Sequence, residues 1–141
     1  MKIFGKTLRE YLWPIRYYVI IAVLVVVSQY YFYLPLRDQY PFLGNLTQAL
    51  WALMVALSVV KLVREYNFNM KQVLFLGVLY CFIIHGLKAF FFRVFLFPYN
   101  VPAEQVPFLL IEKFLYGSFL VMVIVLILGP IFIYLREKNI Y

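Results

Sequence analysis

The chain has 141 residues, of which 66% are hydrophobic, 21% are aromatic and 13% are charged. Soluble domains average about 25% charged residues, so this composition excludes an ordinary water-soluble domain and indicates that lipid surrounds most of the chain. The formal net charge of +7 comes from basic residues at the ends of apolar runs. There they anchor a membrane protein to lipid headgroups, and we expect no nucleic-acid partner.

Residues 2–13 have the pattern of a short amphipathic helix. Their apolar side chains recur along one stripe, and Lys2, Lys6 and Arg9 lie mostly off it. Helices of this kind lie in the membrane interface. Pro14 then allows the chain to turn into the first span.

Four apolar stretches are long enough to cross a bilayer, which takes about 20 residues. They cover residues 17–34, 46–63, 72–97 and 108–135. A signal peptide is the alternative interpretation of the first stretch, but no small-x-small cleavage site follows it. The connecting segments are short, so neighbouring spans must be antiparallel. The sequence therefore predicts a single all-α membrane domain, a four-helix transmembrane bundle in up-down-up-down order.

The basic residues are distributed unevenly between the two sides of this bundle. Nine lie at the termini or near the turn between the second and third spans: Lys2, Lys6, Arg9, Arg16, Lys61, Arg64, Lys71, Arg136 and Lys138. The other side has Arg37, Lys88, Arg93 and Lys113. Because basic residues accumulate in cytoplasmic segments, we expect a multi-pass plasma-membrane protein with both termini in the cytoplasm.

The third span contains three ionisable residues, His85, Lys88 and Arg93. An ionisable group inside a span costs about 2.5–3.5 kcal/mol on insertion scales, and it needs a partner or water. With a rise of about 1.5 Å per residue, Glu112 of the fourth span lies at a depth similar to that of Lys88. Glu112 is therefore placed to pair with Lys88 or Arg93, unless the two cations extend to the headgroups.

His85 is the only histidine, and on an α-helix it shares a face of about 60° with Cys81, Lys88 and Phe92. Three interpretations stay open: a neutral histidine hydrogen-bonded inside the bundle, a residue that helps to bind a quinone or lipid headgroup, and an axial haem ligand. The haem interpretation needs a second histidine from another subunit. The predicted ligand-binding residues are His85, Lys88, Arg93 and Glu112.

No pattern typical of an enzyme or a metal centre is present in the sequence. It has no Gly-rich phosphate loop, and its single cysteine, Cys81, excludes a disulfide framework and a cysteine cluster. One histidine and one cysteine are too few ligands for a metal site. No span has the polar stripe of a conducting channel. We therefore expect a non-catalytic protein, and we assign no cofactor or metal.

Two stretches around the turn into the third span, ALSVVKLV (residues 56–63) and NFNMKQVLFLG (residues 67–77), resemble the corresponding turn of the phosphate-starvation-inducible PsiE family. Proteins of that family are small four-span bacterial and archaeal membrane proteins of similar length, with a basic turn between spans two and three. The family has no assigned chemistry. The resemblance implies a four-span topology and transfers no binding residues.

Two functions from different classes fit this sequence. Little extramembrane mass, few polar groups in the spans and many aromatic residues favour an accessory or assembly subunit of a larger membrane complex. Its partners would be the lipid bilayer and either other membrane subunits or further copies of this chain. The alternative is a small transport or ligand-binding protein for a quinone, a lipid or an ion, which uses the region of His85, Lys88 and Glu112.

Overall fold

The computed structural model describes residues 1–139, which contain four long helices and no β-strand. The helices are α1 (Leu8–Leu36), α2 (Phe42–Tyr66), α3 (Met70–Leu96) and α4 (Val106–Glu137), and each is long and apolar enough to cross a membrane. The connections between them are short, so successive helices run antiparallel. The prediction of an all-α, up-down-up-down four-helix bundle is confirmed, and the architecture is that of a multi-pass membrane protein.

Helices α2 and α3 form the centre of the bundle, and α1 and α4 flank them. Both central helices pack against α1 and against α4. Within the most apolar stretch of each helix, 39% of α2 and 44% of α3 is buried, compared with 17% of α1 and 17% of α4. The two flanking helices therefore have fewer fully buried residues than the two central ones.

The predicted helix over residues 2–13 is shorter in the structure. Ile3 and Lys6 exchange backbone N–H···O bonds of 2.7 and 3.2 Å, which close a tight turn. Phe4 and Gly5 lie at its tip with positive φ angles of 51° and 86°. A helix cannot pass through two left-handed residues, so the first helical residue is Leu8.

Helix α1 then continues through the position where a turn was expected. Thr7 and Glu10 form a reciprocal capping box at its start. Residues Trp13–Ile15 form one 3₁₀ turn, with Pro14 in its first turn. Proline has no N–H to donate to the preceding turn, and the α-helical hydrogen-bond pattern is interrupted at this position. The amphipathic segment is therefore continuous with the first span.

Two segments of the bundle are π-helical, Gln29–Tyr33 in α1 and Cys81–Leu96 in α3. In a π-helix the N–H group bonds the carbonyl five residues earlier, and such segments are often found at functional sites. The segment in α3 ends with a bond of 2.6 Å from Phe97 N to Phe92 O. Both segments lie at the end of the bundle opposite the termini.

The wider turn of α3 changes which side chains share a face. The expected common face of Cys81, His85, Lys88 and Phe92 used the α-helical period, whereas all four residues lie in the π-helical segment. In the structure the Cys81 thiol points to the backbone of α4, at 3.7 Å from a carbonyl oxygen. Phe92 stacks on Tyr30 of α1, with ring centroids 4.7 Å apart.

The end of the bundle that holds both termini is filled by an aromatic cluster. We call it the closed end; it comprises residues 3–11, the turn and helix ends at residues 62–76, and Arg136. Tyr11 packs edge-on against Phe68 and Phe75, at centroid distances of 5.3 and 4.9 Å. The side chains of Tyr11 and Phe68 are fully buried, so this end has a packed core.

Candidate functional site

A cavity of about 410 Å³ lies at the other end of the bundle, which we call the cavity end. All four helices contribute to its wall, and both π-helical segments face it. The polar side chains that line it are Gln29, Tyr30, Tyr33, Arg37, Gln48, His85, Lys88, Arg93, Tyr99, Lys113 and Tyr116. A polar lining of this extent is unusual inside a protein whose spans are otherwise apolar.

Four basic side chains line the cavity, Arg37, Lys88, Arg93 and Lys113, and no acidic side chain does. Within residues 1–139 the one salt bridge joins Arg37 to Asp38 at 3.9 Å, and both of these side chains are exposed. Lys88, Arg93 and Lys113 thus face the cavity without a carboxylate partner in the described part of the chain. Positive charges around a cleft of low dielectric constant concentrate their electrostatic field in the cleft, and this field attracts anions.

His85 is buried in the wall of the cavity, with 5% of its surface exposed. The edge of its ring packs against Trp51, with the ring centroids 4.9 Å apart. On the other side its ring lies directly against Gly117, where an added Cβ atom would overlap the imidazole. The buried Nε2 atom makes no hydrogen bond with protein atoms of residues 1–139.

Aromatic rings hold the two central cations of the cavity. The Nζ atom of Lys88 lies 5.5 Å from the centre of the Trp51 ring. The guanidinium of Arg93 lies over Tyr30 and Tyr99, at 5.2 and 4.5 Å. Cation–π contacts of this kind orient a cation without neutralising it. The positive charges stay directed at the cavity.

Polar atoms without a partner are concentrated at this cavity. Among residues 1–139, four buried side-chain atoms have no hydrogen-bond partner, and three of them belong to cavity residues: Gln29 Oε1, His85 Nε2 and Arg93 Nε. The fourth, Ser118 Oγ, is on the helix that forms one wall. Buried polar groups are normally satisfied, so such a concentration indicates a place for a ligand or ordered water.

Of the residues singled out by the sequence, Glu112 is not part of this site. Its side chain is exposed and does not line the cavity, and within residues 1–139 no salt bridge joins it to Lys88 or Arg93. Helix α4 turns Lys113, Tyr116 and other residues towards the cavity, and Glu112 lies about 100° around the helix from Lys113. Glu112 and Lys88 lie at a similar depth, but Glu112 lies on a different face of α4 from the residues that line the cavity. Depth alone therefore does not predict an ion pair.

The structure brings together His85, Lys88 and Arg93, and it adds two basic residues that the sequence interpretation used only for topology. Arg37 and Lys113 line the same cavity. The charge distribution in the sequence already separated them. Arg37, Lys88, Arg93 and Lys113 are the four basic residues that lie away from the termini and from the second turn. The lining tyrosines Tyr30, Tyr33, Tyr99 and Tyr116 were not among the predicted ligand-binding residues.

The chain matches no protein-family model, no curated protein and no solved structure. Within the described residues, no group of three or more His, Cys, Asp or Glu side chains is arranged to hold a metal ion. The function must therefore be inferred from the cavity itself.

Proposed function

We propose that this polytopic membrane protein binds an anionic ligand in the cavity between its four helices. The observation that carries the proposal is the convergence of four basic side chains on a cavity that no acidic side chain lines. A buried cation without a counter-charge is costly in a membrane protein. A bound anion would supply the missing partner for Lys88, Arg93 and Lys113.

The donors in the cavity suit a phosphate or carboxylate group. A guanidinium such as that of Arg93 binds either group through two parallel hydrogen bonds, and a lysine adds a mobile charge. The hydroxyl groups of Tyr33 and Tyr116 and the amides of Gln29 and Gln48 provide neutral donors around them. The volume of about 410 Å³ is within the usual range of ligand sites, about 300–1,000 Å³.

The proposed role is binding, without catalysis, and it includes an orientation in the plasma membrane. Nine basic residues at the termini and near the second turn support a cytoplasmic location of the closed end. The cavity would then lie in the outer half of the bilayer. The resemblance to the PsiE family is a further prediction, which concerns the topology and not the ligand.

A second candidate function is the accessory subunit of a larger membrane complex. It is supported by the exposed faces of the flanking helices, on which Phe32, Phe108 and Phe119 are 68%, 69% and 65% exposed. Lipid covers such a surface as well as a partner does. Isolation through a C-terminal tag in a mild detergent separates the two roles, because a subunit would bring larger partners in fixed stoichiometry.

The binding proposal is tested by thermal unfolding of the purified protein with a panel of probes. The panel contains free anions (inorganic phosphate and succinate), anionic amphiphiles (phosphatidylglycerol and oleate) and the zwitterionic phosphatidylcholine. A ligand at about 100 times its Kd stabilises a protein by about 2.7 kcal/mol, which for a chain of this size raises the midpoint by about 10 °C. We expect such a rise with at least one anionic probe and none with phosphatidylcholine.

The variants Lys88→Gln and Arg93→Gln should lose this stabilisation. Lys71→Gln is the matched control, because Lys71 is an exposed residue of α3 that does not line the cavity. Equal stabilisation of all variants, or no response to any anionic probe, would contradict the proposal.

A further inference from the structure

The cavity reaches the side of the bundle as well as its end. Tyr116 lines the cavity, yet 65% of its surface is exposed. It lies ten residues after Val106, the first residue of α4, which corresponds to about 15 Å along the helix. Tyr116 therefore lines the cavity and is also exposed, within a helix that is long and apolar enough to cross a membrane, and we take this position as an opening of the cavity towards the side of the bundle.

Two polar residues accompany Tyr116 at this opening. Lys113 of α4 and Gln48 of α2 also line the cavity and are also exposed. They lie about 10 Å and about 9 Å from the first residues of their helices. We call the group of Gln48, Lys113 and Tyr116 the side opening. A lysine within a membrane-spanning helix needs an anionic partner, and a lipid headgroup is the partner that the membrane supplies.

The surface next to the side opening is apolar. Leu115 and Phe119, which flank Tyr116 on α4, are 60% and 65% exposed. Acyl chains that contact this surface could stay in the bilayer while a charged headgroup enters the cavity. A free anion from solution would make no use of this apolar surface.

From this arrangement we propose that the anion is carried by a membrane lipid and enters the cavity from the bilayer through the side opening. The inference rests on the proposed anion-binding function and names the source of the ligand. The phosphate of an anionic phospholipid binds between Lys88 and Arg93, and Lys113 contacts it at the entrance. The acyl chains lie along Leu115 and Phe119.

The test uses the full chain in nanodiscs of phosphatidylcholine that contain a minor fraction of phosphatidylglycerol. After transfer to a mild detergent, mass spectrometry of the intact protein gives the fraction that retains each lipid. We expect wild-type protein and Lys71→Gln to retain phosphatidylglycerol selectively. Retention by Arg93→Gln should fall about tenfold or more, as expected when a charge-assisted hydrogen bond is lost. Lys113→Gln, an exposed position where folding is not at risk, should also reduce it.

A competition arm distinguishes the two possible sources of the anion. Glycerol 3-phosphate and inorganic phosphate have the same charged group without acyl chains, and neither should displace the retained lipid. If either displaces it and binds the wild type with equal affinity, the lipid inference is wrong and the anion-binding function stands. If Arg93→Gln and Lys113→Gln retain as much lipid as wild type while free phosphate still binds through Arg93, the lipid inference is again wrong. If no anionic probe binds in a charge-dependent way, both proposals fail.

Discussion

The closed end and the cavity end of this bundle differ in whether their buried polar groups are hydrogen-bonded. At the closed end, Arg136 donates hydrogen bonds to the carbonyl oxygens of Val63 and Phe68, at 2.8 and 2.9 Å. Gln72 donates to the carbonyl oxygen of Phe4 at 2.9 Å. At the cavity end, by contrast, three buried polar atoms have no partner among residues 1–139.

The use of arginine shows the same difference. Arg136 contacts carbonyl groups at the end of α2, where a helix presents partial negative charge and orphan acceptors. Among the described residues, Arg93 has one backbone acceptor, Phe97 O at 3.2 Å, and its Nε atom has no acceptor. A satisfied polar network stabilises one arrangement, and an unsatisfied one is the expected feature of a binding site. We therefore assign stability to the closed end and ligand binding to the cavity end.

The largest effect is expected from Phe68→Ala at the closed end. Phe68 is fully buried, against Tyr11 and under the Lys6 ammonium at 5.0 Å. Truncation of a buried phenylalanine costs about 3–5 kcal/mol, and we expect the unfolding free energy in mixed micelles to fall by that amount. Phe119→Ala, at a 65% exposed position, is the control and should change it little. An equal loss in both variants would mean that the closed end is not the stable core.

A smaller loss is expected from Arg136→Gln. The substitution removes the charged donor to the carbonyl oxygens of Val63 and Phe68, and hydrogen bonds to charged groups contribute about 1.5–3 kcal/mol. The same unfolding measurement tests it, with Lys138→Gln on an exposed residue as control. Anion binding at the other end should keep its wild-type affinity. A loss of binding in Arg136→Gln would show that the two ends are coupled, against the division proposed here.

At the cavity end, Gly117→Ala should affect binding more than stability. The added methyl group overlaps the His85 ring, so His85 must move. Overpacking of this kind costs about 1–3 kcal/mol, and the lining of the cavity changes with it. Gly86→Ala is the matched control, because a Cβ there meets its nearest neighbours at 3.9–4.0 Å, an ordinary contact distance. Titration with an anionic probe should show weaker binding for Gly117→Ala alone, and unchanged affinity would mean that His85 does not shape the site.

The sequence predicted the fold well, because hydropathy and span length are properties of single segments. Four long apolar stretches in 141 residues, joined by short connections, leave few arrangements other than an antiparallel bundle. The ends of the elements were harder to predict. Helix α2 begins at Phe42 and ends at Tyr66, beyond the predicted residues 46–63. At its C-terminal end the polar residues Arg64 and Glu65 continue the helix without adding hydropathy.

Three of the four predicted ligand-binding residues line the cavity, and the fourth does not. His85, Lys88 and Arg93 stood out because ionisable residues are rare in spans, and the structure places all three at the cavity. Which residues join them depends on helix rotation and on the π-helical turns. The rotation of the helices and the π-helical turns depend on packing between helices, and no short sequence pattern predicts them. For that reason the predicted set lacked Tyr99, which lines the cavity, and contained Glu112, which does not.

The smallest change in stability is expected from Lys88→Met. Unlike the other substitutions, it should leave the free energy of unfolding the same or raise it slightly. Methionine keeps most of the length of the side chain and removes the charge. The loss of the cation–π contact with Trp51, at 5.5 Å, is offset by relief of a half-buried cation that has no carboxylate partner in residues 1–139. We therefore expect the unfolding free energy of the ligand-free protein to stay the same or to rise by less than about 1 kcal/mol, as at other functional sites, while anion binding is lost. A clear destabilisation together with unchanged binding would identify Lys88 as a structural residue, and the two ends of the bundle would then differ less than their hydrogen bonds indicate.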